Sequence, residues 1–365
     1  MATEPTNTTA LERLVREGSD TDVRRFLLLL QPPQVADLLE ALTDPDDRAR
    51  AFRAIVGRDR SEVLRDMDDG TAADVLEDLS PEEAANLIGD LQTDDAVDLL
   101  QEMEDDKKER VLERIEPEDR AELREMITYP EDSAGGIMQT ELVKVPEDWT
   151  AEQVVEEIRR TRDEVGELHE VFVVDPHDRL RGWFTERALI LADDDTPASA
   201  IAVPVPIQAD VSIDQEKIAG LVRDYDVGSV PVVDPDGRLV GRILVDDIVD
   251  VFEEEATEDI TRLGGTSPAE IYEQSAMAAL KARAPWLGVT FLGGIIASLI
   301  IAESEDLIKQ AGVLFAYIPV IMGMGGGCST QAATVTVRSL ALGKITMGSV
   351  WRVVRKELYV GVALS

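Results

Sequence analysis

The sequence predicts a multidomain chain: an α-solenoid, then a pair of α/β units, then an α-helical transmembrane part. Three observations predict it. Apolar residues recur every twelve positions from Ile55 to Ile127. A strand–turn–strand pattern beginning at Val171 returns 59 residues later at Val230. Two long uncharged runs, residues 284–302 and 310–337, lie near the end of the sequence.

Charge divides the chain in the same way. Its 365 residues carry 36 Lys and Arg against 74 Asp and Glu, a net charge of −38. Residues 284–365 hold six positives and four negatives, so residues 1–283 hold 30 against 70, or −40. Such an excess repels a phosphate backbone, which excludes nucleic acid as a partner. At 44% hydrophobic residues the chain still has enough apolar surface for real cores. The single cysteine, Cys328, excludes a disulfide framework and any multi-cysteine metal site. His169 and His177 stand eight apart, without a zinc or triad pattern. No Ser/His/Asp or Cys/His constellation is visible, so the chain reads as a binding or transport protein and not an enzyme. Metal chemistry would run on carboxylates, which suit hard cations such as Mg²⁺ or Ca²⁺. Of the 36 basic residues 28 are Arg and eight are Lys, a bias that fits the salt-rich cytoplasm of a halophile.

Residues 1–130 read as an acidic helical domain. The repeating apolar residues are Ile55, Met67, Leu79, Leu91, Met103, Ile115 and Ile127. Eight and nine positions after each of the first five comes an apolar pair, for example Val63-Leu64, Val75-Leu76 and Leu99-Leu100. Helix starts fall between them. Ser80-Pro81-Glu82-Glu83 reads as an N-cap, a proline at the first helical position and two acids favoured by the helix dipole. Thr93-Asp94-Asp95 and Glu116-Pro117-Glu118-Asp119 read the same way. Each short helix cannot bury its face alone, so the units stack.

The duplicated α/β pattern occupies residues 137–200 and 201–254. Each copy has a β-branched strand, a tight Asp-Pro turn at Asp175 or Asp234, and a second strand from Leu180 or Leu239. Helical segments precede the copies at 151–162 and 213–225 and follow them near 186–191 and 246–252.

A helix is expected over residues 246–265. Eight acids fall in the fourteen residues 246–259, with no Lys or Arg. Asp247, Asp250, Glu254 and Glu258 share one face, and Ile248, Val249, Phe252, Ala256 and Ile260 the other. Like charges at that spacing oppose the helix by a few tenths of a kcal/mol per pair. A divalent cation would remove the repulsion; abundant monovalent salt would also neutralise it. Both readings stay open from these residues alone.

Residues 284–365 form the membrane part. The run 284–302 is 19 residues long, roughly 28 Å as a helix, about one bilayer core. A second span is expected near 311–337 and a third from 358. Lys281 and Arg283 precede the first span, and Arg338, Lys344, Arg352, Arg355 and Lys356 follow the second. The acidic stretch Glu303-Ser304-Glu305-Asp306 lies between them. The positive-inside rule then puts the N-terminal domains in the cytoplasm of a multi-pass plasma-membrane protein. The second run contains Gly325-Gly326-Gly327, which weakens a helix and permits either close packing or an opened backbone facing a cavity.

The duplicated copies resemble a pair of cystathionine-β-synthase (CBS) domains. Ser133-Ala134-Gly135-Gly136-Ile137-Met138 before the first copy, Glu255-Ala256-Thr257-Glu258-Asp259-Ile260 after the second, and the glycine-rich span with Gln331 and Arg338 together resemble the MgtE magnesium transporters. The resemblance implies a homodimer in the lipid membrane that carries Mg²⁺ and is closed by Mg²⁺ on its cytosolic acids. It implies sensing roles for Asp74, Asp106, Asp214, Glu216, Asp226, Asp247, Asp250, Glu255, Glu258 and Asp259. Lys107, Lys108 and Arg110 crowd Asp106 where the family is more acidic. Pore roles fall to Gly326, Gly327, Thr330 and Gln331. Where the family has Gly-Gly-Asn, this chain has three glycines, which shifts weight to backbone carbonyls and Thr330. The family has five spans with an acid in the last; this sequence stops within the third, as a truncated chain would.

CBS pairs also bind adenine nucleotides such as ATP. Their signature is glycine, two apolar residues, Ser or Thr, two residues and Asp. The first copy offers Gly182 and Thr185 but Ala188 at the acid position; the second offers Asp247 but Leu244 at the hydroxyl position. The alternative reading is therefore a membrane-tethered CBS module that senses adenine nucleotides without transport of its own.

Overall fold

The computed structural model describes residues 5–56, 59–162, 165, 168, 170–225, 227–267, 276–303, 314–341, 351, 353–356 and 358–359. Asp226, His169, Ser304, Glu305, Asp306 and Lys309 lie outside the described residues. The chain forms two compact units, Met1–Phe252 and Glu253–Ser365.

The first unit begins with helices: α1 (Pro5–Glu17), α2 (Asp20–Leu27), α3 (Pro32–Glu40), α4 (Pro45–Ala54), α5 (Asp59–Arg65), α6 (Asp69–Glu77), α7 (Pro81–Ile88), α8 (Thr93–Glu102), α9 (Asp105–Leu112) and α10 (Pro117–Met126). From α6 to α10 the helices start twelve residues apart, matching the sequence repeat. The apolar pairs are the reason: Leu64, Leu76, Ile88, Leu100 and Leu112 are each at most 1% exposed. Ser80 closes a full capping box with Glu83, a device that contributes about 1 kcal/mol. Two of the expected caps take another form. Gln92, not Thr93, is the N-cap of α8, and Glu116 caps α10 without a side-chain bond.

Two three-stranded sheets follow, built alike. In the first, β1 (Val143–Pro146) runs parallel to β2 (Glu170–Val174), which pairs antiparallel with β3 (Leu180–Thr185). In the second, β4 (Ala209–Asp210), β5 (Ser229–Val233) and β6 (Leu239–Leu244) repeat that order. The turns match too. Asp175 accepts the N–H groups of His177 and Arg179 at 2.8 and 3.1 Å, and Asp234 those of Asp236 and Arg238 at 2.9 and 2.8 Å. Helices α11 (Ala151–Thr161), α12 (Glu186–Ile190) and α13 (Ala198–Ile201) flank the first sheet, and α14 (Gln215–Tyr225) the second. The first α/β unit has its own core around Val145, Val154 and Val173. The second shares one continuous core with the helical repeat, from Leu100 and Met126 through Met138 to Ile243 and Ile248. That shared core holds the helical domain on the second sheet.

Helix α15 (Val245–Gly264) leads out of this unit and stops at Gly265, whose φ of +72° suits glycine.

The second unit contains two long helices, α16 (Ala276–Glu303) and α17 (Leu314–Ala341). Within residues 279–303 of α16 an 18-residue window reaches a mean hydropathy of 1.9, and none of that window is buried. Among the described residues this is the one helix long and apolar enough to cross a membrane. Helix α17 runs unbroken through Gly325-Gly326-Gly327. The opened backbone considered from the sequence is therefore absent there. Ser329 and Thr330 donate their hydroxyls to the carbonyls of Gly325 and Gly326 at 2.8 and 3.1 Å, one turn back along a continuous helix.

Candidate metal centre

Helix α8 begins where the repeat places it and carries Asp94 and Asp95 in its first turn. A helix N-terminus favours acids, but these are not solvated. Asp94 is 7% exposed, and Asp95 is half-buried. The covering elements come from far along the chain. Thr93 donates its N–H and hydroxyl to Glu141 Oε1 at 3.1 and 2.7 Å, and its hydroxyl lies 2.8 Å from that of Thr140. Asp247 arrives on the first turn of α15, where the Leu244 N–H donates to its Oδ2 at 3.1 Å.

These carboxyls feel one another. Burial above all, then the charge of Asp94, pushes Asp95 up to about 8. Burial, then Asp94, pushes Asp247 up to about 7. Burial raises Asp94 to about 6, with Glu141 adding to the rise. Arg65 opposes the shift at Asp95.

Buried oxygens are also left without partners. Asp94 Oδ1, Asp95 Oδ2 and Glu141 Oε2 have no hydrogen-bond partner. An unpaired buried polar atom is costly, and an unpaired buried charge more so. All-oxygen donors of like charge suit a hard divalent cation, which would neutralise them together. Among the described residues no three such side chains are already arranged to hold a metal ion. Mg²⁺ keeps several waters and binds through one or two carboxylates, so it does not need a closed cage.

The residues singled out from the sequence are distributed differently. Asp247 alone joins this cluster. Asp74 on α6 is exposed and stands 3.8 Å from Arg48. Asp106 is bound by Arg110, one turn on, at 3.1 Å. Asp214 is exposed; its backbone bridges to Ser133. Glu216 is exposed at the start of α14, as is Asp250 on α15. Glu255, Glu258 and Asp259 belong to the second unit, where Glu258 pairs with Arg262. Thr185 accepts the Ala188 N–H at 3.4 Å and so caps α12. Gly326 and Gly327 have open space where a Cβ would stand, and Gln331 is exposed. Asp94, Asp95 and Glu141 were not singled out. The repeat places acid pairs at Glu82-Glu83, Asp105-Asp106 and Glu118-Asp119 too, so nothing local distinguishes this pair.

Residues 12–132 match the family model of the MgtE intracellular N domain, 134–195 and 198–254 that of the CBS domain, and 318–365 that of a divalent cation transporter. The solved cytosolic domain of the Mg²⁺ channel MgtE in complex with ATP is 33% identical, with a TM-score of 0.62, and the match covers 67% of this chain and 99% of that one. The chain belongs to the MgtE family. The soluble part of a magnesium transporter is similar at 30% identity and a TM-score of 0.59, covering 69% of this chain and 98% of that one. The magnesium transporter MgtE of Thermus thermophilus is 39% identical over 247 residues, 67% of this chain and 55% of the relative. The chain thus spans about half the length of the curated MgtE relatives it matches.

Proposed function

We propose that the chain serves Mg²⁺ transport across the plasma membrane, as part of a homodimeric, multi-pass channel or transporter whose cytoplasmic domains sense Mg²⁺. The observation that carries this is the set of orphaned, buried carboxylate oxygens at Asp94, Asp95 and Glu141, with Asp94 close enough to Asp247 to add to the rise that burial gives its proton affinity. Asp94, Asp95 and Asp247 would hold the regulatory ion between them. The bound ion would add positive charge where Arg65 offsets the repulsion at Asp95 only in part. Helical domain and second CBS unit repel each other through these acids; a cation turns that repulsion into a bridge. The reading includes no catalytic step. Mg²⁺ is both regulator and substrate.

The acids of α15 belong to the same reading. Asp250, Glu255, Glu258 and Asp259 follow Asp247 along this helix, so ordering its first turn constrains the segment leading to the membrane part. Millimolar Mg²⁺ is expected to protect residues 246–265 of the full chain from protease. Unchanged cleavage with and without Mg²⁺ would sink the sensing role.

Adenine-nucleotide sensing is the second reading, favoured by the ATP in the solved MgtE relative. Here Thr185 is engaged in capping α12 and Asp247 in the acid cluster. Calorimetry with ATP separates the two: tight ATP binding with no response to Mg²⁺ would favour the nucleotide module.

A further inference from the structure

Gln139 lies where the linker from the helical repeat crosses the second CBS unit. Its backbone pairs with Arg242 of β6 in both directions, N–H to carbonyl at 2.8 Å and carbonyl to N–H at 2.9 Å. Gly241 permits this approach: a Cβ there would stand 2.7 Å from the Met138 sulfur and 3.0 Å from the Gln139 carbonyl.

The side chains continue the pairing. Gln139 and Arg242 are both 0% exposed. Arg242 Nη2 donates to Gln139 Oε1 at 3.2 Å and to the Val165 carbonyl at 3.4 Å. A guanidinium only donates, so the glutamine oxygen faces it and the amide nitrogen faces the other way. There Gln139 Nε2 donates to Asp94 Oδ2 at 3.5 Å. One buried chain, Arg242 to Gln139 to Asp94, thus links the second CBS unit, the linker and the helical repeat. Through Val165 it also touches the first CBS unit.

We propose that Gln139 is a positioning residue for the acid cluster. Arg242 fixes the orientation of its amide, and the amide holds Asp94 by Oδ2 so that Oδ1 is presented to the cation. The packing of the CBS pair around Arg242 then sets the cation affinity of the site that Asp94 and Asp95 of the helical domain share with Asp247. This rests on Asp94, Asp95 and Asp247 forming a divalent-cation site. It extends that reading to its control.

The test is Mg²⁺ titration of the full chain in detergent by calorimetry, on the wild type, Gln139→Met, Asp94→Asn and the double variant. Methionine keeps the length and volume of the side chain and removes both hydrogen bonds. Gln139→Met is expected to weaken Mg²⁺ binding about tenfold, the scale of a hydrogen bond to a charged group. In the Asp94→Asn background it is expected to change nothing further. Equal weakening in both backgrounds would mean general structural damage and would overturn the proposal, as would unchanged affinity in Gln139→Met. Arg242→Lys keeps the charge but loses the fork, and provides the same test if Gln139→Met does not fold. It is expected to weaken binding a few-fold, again only with Asp94 present. Asp95→Asn serves as the separate control: if it leaves Mg²⁺ affinity intact, the cluster itself is not the site, whatever Gln139 does.

Discussion

Two groups of acids in the first unit show opposite solutions to crowded negative charge. On the outer ledge of the helical domain, Glu77 accepts the Glu104 N–H at 2.7 Å and the Lys107 ammonium at 2.5 Å, with Glu104 itself 3.6 Å from that ammonium. Arg48 stands by Asp74 beside them. At the junction with the second CBS unit, Asp94, Asp95 and Asp247 crowd together with buried oxygens unpaired. The ledge has its cations built in. At the junction Arg65 offsets the rise at Asp95 only in part. The difference teaches that in so acidic a chain, charge by itself marks no site; buried carboxylates with unpaired oxygens are the stronger sign.

The largest expected effect separates the two groups by mutation. At a hundred times its Kd, Mg²⁺ would stabilise the wild type by about 2.7 kcal/mol. Asp95→Asn, alone or with Asp247→Asn, is expected to abolish most of that gain. In Mg²⁺-free buffer at pH 8 it is expected to raise stability by about 2 kcal/mol, because a buried repelling charge is gone. Asp74→Asn and Glu77→Gln are expected to do neither. Thermal melts with and without Mg²⁺ measure both, and a ledge variant that loses the Mg²⁺ response would break the comparison.

Next is pH. The junction acids bind protons more tightly folded than unfolded. Their contribution is therefore fullest below the ordinary carboxylate pKa of about 4. It is lost as pH rises through their folded values of about 6 to about 8. Without Mg²⁺, Tm should fall over that window, and Mg²⁺ should flatten the fall. The ledge behaves in the opposite range: the hydrogen bond to Glu77 raises the Lys107 ammonium, so its contribution persists below the ordinary lysine pKa and is lost only above it. A Tm that rises between pH 5 and pH 8 in Mg²⁺-free buffer would contradict the assignment.

A smaller effect is expected from Lys107→Met. It removes the resident cation and should lower Tm by a few degrees in Mg²⁺-free buffer, while giving the ledge a new, weak Mg²⁺ response. The smallest is Ser80→Ala, which breaks the capping box of α7 at a cost of about 1 kcal/mol. It should leave the Mg²⁺ response intact, so loss of stability in the helical domain is not mistaken for loss of the site.

The architecture was legible because it is periodic. The twelve-residue repeat and the 59-residue duplication predicted the helices and sheets that form. Asp247 was legible from the self-repelling face of its helix. Asp94 and Asp95 were not, because their environment comes from Thr140 and Glu141, more than forty residues on, and from Asp247 beyond. In sequence they look like any acids in a helical first turn. The glycine run was also misleading in one respect. Three glycines lower helix propensity, yet in α17 Ser329 and Thr330 fold their hydroxyls back on the carbonyls one turn earlier, and the helix continues.

The most direct test of the junction as the cation site is anomalous scattering from crystals of the chain grown with Mn²⁺ as the substitute for Mg²⁺. The expected result is a peak between Asp95 and Asp247, with none beside Glu77 and Lys107. A peak at the ledge with none at the junction would contradict the account.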